Sequence, residues 1–125
     1  MANRRGCYNE ALMKRALVVD DDPSLLALIT EWLTAAGYAV ETAGDFATAK
    51  LRLSGRQDLL AVDVRLKAFN GLQLAILARS GDAAMRIVVM TGWDDPVLRT
   101  EATSIGAVFL LKPFDEQQLL RVVEA

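Results

Sequence analysis

Two hydrophobic periods alternate along this chain. Short unbroken apolar runs occur at residues 16–19, 59–62, 87–90 and 107–111, each bounded by charged or turn-forming residues. Runs of that length with no polar face predict strands buried on both sides. Residues 38–43 alternate apolar with polar instead, the pattern of an exposed edge strand. Between the runs, apolar positions recur at helical spacing, as in Leu25, Leu26, Ile29 and Leu33 on one face of a helix over 23–36. Further helices are predicted over 46–53, 72–79, 96–105 and 115–123, with 65–70 as a loop.

The boundary residues agree with this reading. Asp22-Pro23 and Asp95-Pro96 each place a capping carboxylate before a proline, whose missing N–H costs nothing at the first helical position. Asp45 caps the second helix, Ser54-Gly55 ends it, and Gly37 and Gly106 stop the first and fourth helices. Five strands alternating with five helices, without repeats or low-complexity stretches, call for a parallel sheet with helices on both faces.

In such a sheet the carboxyl ends of all strands share one rim, where ligands of open α/β sheets bind. Asp20 and Asp21 follow the first strand, Asp63 the third, Thr91 the fourth and Lys112 the last. Any one of them alone reads as a turn or cap residue; the joint pattern points to chemistry. Neighbouring carboxylates repel unless a cation relieves them. Oxygen donors without Cys or His favour Mg²⁺ over zinc or copper. A carboxylate beside such an ion can act as a nucleophile toward phosphorus, while a hydroxyl and an ammonium steady the phosphoryl oxygens.

Composition narrows the picture. At 125 residues, 53% apolar and 24% charged, the chain fits one ordinary globular domain. Net charge is −2 with no basic run, so no footprint for direct nucleic-acid binding is visible. Cys7 is the single cysteine, which excludes an internal disulfide and suits a reducing, cytoplasmic location. No apolar segment approaches a membrane span. Residues 1–14 lack the apolar core of a signal peptide, and no apolar run precedes Gly6-Cys7. They read as a poorly ordered leader before a domain over 15–125.

Val18-Val19-Asp20-Asp21, Ala61-Val62-Asp63 with Gly71 downstream, Val89-Met90-Thr91-Gly92 and Leu110-Leu111-Lys112-Pro113-Phe114 together resemble the receiver domain of two-component response regulators. The resemblance covers about residues 15–123. It implies a flavodoxin-like (CheY-like) sheet of order 2-1-3-4-5 and a phosphoprotein acting in phosphorelay signal transduction. Asp63 would accept the phosphoryl group. Asp20, Asp21, Asp63 and the backbone carbonyl of Arg65 would hold Mg²⁺, and Thr91 and Lys112 would contact the phosphoryl group. Phe109 falls at the family's aromatic switch position, with Thr91 as its partner, and the Lys112–Pro113 bond is implied to be cis.

The resemblance implies a histidine kinase or histidine phosphotransfer protein as donor; the chain itself contains no histidine, so the donor histidine is external. The implied output is a repacked surface of the fourth helix, last strand and last helix. Val97, Arg99, Glu101, Glu116 and Arg121 lie there and could pair with a second copy in a homodimer. Catalysis would be limited to self-phosphorylation and slow autodephosphorylation. Two departures stand out. Lys67 replaces a common proline four residues after Asp63, and Arg65 and Trp93 flank the phosphorylation site, where a stacked pair would slow hydrolysis. Two rival readings are a haloacid-dehalogenase-type phosphohydrolase built on Asp20-x-Asp22, Thr91 and Lys112, and a receiver-like scaffold that is never phosphorylated.

Overall fold

The structure, a computed structural model, describes residues 13–66 and 69–124. The expectations for residues 1–12, including Cys7, and for Lys67 lie outside the described residues. The main elements are β1 (Lys14–Val19), α1 (Pro23–Ala35), β2 (Tyr38–Ala43), α2 (Phe46–Arg52), β3 (Leu59–Asp63), α3 (Gly71–Gly81), β4 (Arg86–Thr91), α4 (Pro96–Ser104), β5 (Val108–Leu111) and α5 (Glu116–Glu124). All strand pairings in the five-stranded sheet are parallel, in the order β2-β1-β3-β4-β5.

Alternate residues of each central strand feed two separate cores. Leu17, Val19, Leu60, Val62, Ile87 and Val89 face the side covered by α2, α3 and α4, where Ala49, Leu74, Ala75, Leu98 and Ala102 meet them. Ala16, Val18, Ala61, Val88, Met90 and Leu110 face the side covered by α1 and α5, against Ile29, Leu33, Leu119 and Val123. Each fully buried Leu or Ile contributes about 1.5–3 kcal/mol, so the two layers hold the sheet rigid beneath the rim. Asp22 accepts from Ser24 N–H (2.9 Å), Asp45 from Thr48 N–H (2.8 Å) and Asp95 from Val97 N–H (2.9 Å), capping the helices that the sequence assigned to them.

Three local differences have physical causes. β1 starts at Lys14 and β4 at Arg86, beyond their apolar runs, because backbone pairing with Tyr38 and Leu59 continues past the point where burial stops. Lys14, assigned above to the leader, is therefore strand. Residues 65–70 are not a plain loop: Arg65–Leu66 and Phe69–Asn70 pair as a two-stranded antiparallel ribbon. Asn70 then caps α3, its side chain accepting from Leu72 N–H at 2.8 Å. β2 lies at the sheet edge as expected, yet its four central residues are half-buried rather than alternating.

Candidate functional site

Each rim residue takes its position from the strand before it. Asp63 is the last residue of β3 and Thr91 the last of β4, while Asp20 and Lys112 directly follow β1 and β5. Asp20 donates its backbone N–H to Ala43 O (3.1 Å), and Lys112 donates its own to Thr91 O (2.7 Å), so pairing continues one step past the strand ends. The side chains at these positions therefore inherit the register of the sheet.

Asp20 is 1% exposed and uses both carboxylate oxygens. Oδ1 accepts from Asp22 N–H at 2.9 Å, and Oδ2 accepts from Lys112 Nζ at 2.7 Å. Lys112 Nζ also lies 3.3 Å from Asp63 Oδ1. Asp63 is buried, and the backbone N–H of Arg65 donates to its carboxylate. Carboxylate oxygens of Asp20, Asp21 and Asp63 all lie within 4.8 Å of one another, with Asp21 exposed at the mouth.

The charges in this cluster do not balance. Burial pushes the Asp63 carboxyl above its ordinary range; the Lys112 ammonium opposes the rise without cancelling it, and Asp20 adds to it. Burial also works against the charge on Lys112, but the bond to Asp20 and the charges of both acids outweigh it and raise the lysine above its usual value. Three carboxylates against one ammonium leave excess negative charge. A small divalent cation that prefers oxygen would relieve it, and this donor set fits Mg²⁺.

Gly71 closes the far side. A Cβ there would fall inside the van der Waals envelope of the Asp63 carbonyl, so only glycine lets α3 start this close to the end of β3. Gly71 N–H donates to Val64 O (2.7 Å) and Val64 N–H to Met90 O (3.0 Å), which ties the segment after Asp63 to β4.

Thr91 is buried, and its Oγ1 accepts from Trp93 N–H at 3.1 Å within its own loop. The Arg65 guanidinium lies over the Trp93 ring, 5.1 Å from its centroid, and Trp93 is 60% exposed. The stacked pair anticipated from the two positions is therefore present. Arg65, Asn70, Trp93, Asp94 and Glu101 line a groove of about 530 Å³ beside Thr91. A larger cleft of about 690 Å³ lies at the amino ends of the strands, lined by Lys14, Tyr38, Asp58 and Arg86, far from these carboxylates. The Lys112–Pro113 bond is cis.

Phe109 is half-buried on β5, with Val89 opposite it on β4. Side chains two apart share a face, so Thr91 and Phe109 lie on the same side of the sheet on adjacent strands. The sequence did not single out what covers the ring. Arg99 of α4 sits over it at 4.3 Å, and the same guanidinium bonds Asp94 Oδ1 at 2.7 Å and 3.3 Å. The contact joins residues on α4 and β5, two separate elements, and no local pattern encodes it.

Comparison with known proteins adds a second line of observation. A sequence model of the response regulator receiver domain matches residues 16–124. The chain is 34% identical over 110 residues to the DNA-binding transcriptional regulator NtrC of Azospirillum brasilense, covering 86% of this chain and 23% of that protein. It is 32% identical over 118 residues to the DNA-binding response regulator MtrA of Mycolicibacterium smegmatis, covering 93% and 51%. The chain thus spans about a quarter of the first relative and about half of the second. A Burkholderia pseudomallei response regulator, solved with a phosphorylated aspartic acid, a calcium ion and citrate, superposes with a TM-score of 0.79 at 28% identity, covering 87% of this chain and 65% of that one.

Proposed function

The chain belongs to the response regulator receiver domain family, and from that premise we propose that Asp63 is the carboxylate that takes the phosphoryl group. The donor is a phosphohistidine on a partner kinase or histidine phosphotransfer protein. An Asp63 oxygen attacks phosphorus; the O–P bond forms as the donor's N–P bond breaks, and the imidazole leaves with the electron pair. Asp20, Asp21, Asp63 and the Arg65 carbonyl would hold Mg²⁺, which when bound offsets the charge that builds on the phosphoryl oxygens.

The remaining steps belong to the protein. Lys112, which bridges Asp20 and Asp63, shifts toward the phosphoryl oxygens and keeps its ammonium charge there. Thr91 gives up its loop contact and donates its hydroxyl to the phosphoryl group. Phe109, on the same face, moves into the space Thr91 leaves. The added charge of roughly −1.5 to −2 thereby becomes a population shift in the α4-β5-α5 surface. A second copy of the chain could pair through that surface. Among the described residues no helix is long and apolar enough to cross a membrane, and the proposed site of action is the cytoplasm. The regulators it resembles bind DNA; here that task is assigned to parts of those proteins that this chain does not match.

The observation that carries the reading is the Lys112 ammonium bonded to two buried acids, with a third carboxylate at the mouth. The family match and the clustering of Asp63 with Asp20, Asp21 and Lys112 favour a receiver over a dehalogenase-type phosphohydrolase. The test is labelling with a small acyl phosphate. Stoichiometric, Mg²⁺-dependent addition of one phosphoryl group, absent in Asp63→Asn, supports the assignment. Persistence in that variant moves the acceptor elsewhere, and no labelling at all favours the unphosphorylated scaffold.

A further inference from the structure

We infer that Arg99 is a positioning residue that latches the aromatic ring of Phe109, and that Asp94 sets the latch. This deepens the proposed function and rests on it, since Phe109 matters here only as the group that repacks after Thr91 moves.

Three contacts form a continuous path. Thr91 Oγ1 accepts from Trp93 N–H, which holds the hydroxyl within the β4–α4 loop. The next residue, Asp94, takes two guanidinium contacts from Arg99 on α4. The same guanidinium covers the Phe109 ring at 4.3 Å, within cation–π range. Arg99 is thus fixed by the loop that carries Thr91 and rests on the ring that follows Thr91. When Thr91 turns toward a phosphoryl group, the bond to Trp93 N–H breaks and the loop rearranges. Asp94 shifts with it, and Arg99 loses the partner that aims it at Phe109.

The latch accordingly opposes the repacking while Thr91 keeps its loop bond, and releases when that bond is lost. Its strength is modest. Asp94 and Arg99 are at least half exposed, so the ion pair is screened and the ring contact does most of the holding. A weak latch suits this task, because a strong one would block the switch.

The experiment titrates beryllofluoride, a phosphoryl mimic, in the presence of Mg²⁺ and follows the bound species by fluorine NMR. Arg99→Gln keeps a polar, unbranched stem but is shorter and loses the charge and the guanidinium face; it should bind the mimic about three- to tenfold more tightly than the parent chain. Asp94→Asn should move affinity in the same direction by less. Phe109→Leu keeps an apolar side chain without a π face, and on that background Arg99→Gln should change nothing. Unchanged or weaker binding in Arg99→Gln, or an equal gain on the Leu background, overturns the latch. Failure of the parent chain to bind the mimic at all overturns the phosphoacceptor reading instead.

Discussion

Lys112 and Asp20 stand 92 positions apart in the chain and 2.7 Å apart in the folded protein. The bond joins the two strands that flank β3 and β4, and its acid is almost fully buried while its lysine is about a quarter exposed. Neither residue is stable there alone: the carboxylate would lack a counter-charge, and the ammonium would be drawn back to water.

Replacing Lys112 with Met therefore has two consequences. In metal-free buffer the variant should lose about 1–3 kcal/mol of stability, because two buried acids are left facing each other. Millimolar Mg²⁺ should recover part of the loss by binding only the folded state. Urea titrations with and without Mg²⁺ check the pair of outcomes, and acyl phosphate labelling of the same variant should slow at least tenfold.

Asp63→Asn should behave in the opposite sense at neutral pH. The folded-state pKa of Asp63 is raised, so the folded protein binds its proton more tightly than the unfolded chain does. That contribution is fully present below the unfolded value and is lost as pH rises through the folded one. Without metal, the Asn variant should be more stable than the parent at pH 7, and the gap should shrink as pH falls. Urea midpoints at pH 4 and pH 7 measure it; a gap that widens toward acid contradicts the assignment.

Gly71→Ala tests the backbone rather than the charges. Its new methyl group would collide with the Asp63 carbonyl, and that carbonyl cannot yield without moving β3. A loss of about 2–4 kcal/mol is expected, large for a single added methyl. Thermal unfolding gives the magnitude, and a loss below 1 kcal/mol would mean that α3 can retreat freely.

Trp93→Ala removes the indole face on which Arg65 rests. If the pair shields the acyl phosphate from water, its hydrolysis should quicken about two- to tenfold, in keeping with one cation–π contact. Arg65→Ala should act alike, and the double variant should add little to the larger single effect. Timed loss of label decides it; an unchanged rate in both singles removes the shielding role.

Much of the fold was legible because each buried strand is a plain apolar run and its helix neighbours carry matching Asp, Pro and Gly signals. The strand ends at Lys14 and Arg86 and the ribbon around Arg65 and Asn70 were missed because backbone pairing alone creates them, with no side-chain pattern to betray it. The rim acids, Thr91 and Lys112 could be listed from their places after apolar runs, since a parallel sheet brings those ends together. Their distances could not. The Arg99 contact with Phe109 was out of reach because it joins α4 to β5, a meeting that no stretch of sequence specifies by itself.

The backbone bond from Lys112 to Thr91 O makes β5 a ruler for the lysine. Gly106, at φ +70°, turns the chain from α4 into that ruler. Inserting or deleting one residue within β5 would displace the ammonium by about 3.3 Å and turn it to the opposite side of the sheet. The number of steps from Gly106 to Lys112 is thus held by the site itself, even where exposed positions of α4 other than Arg99 change.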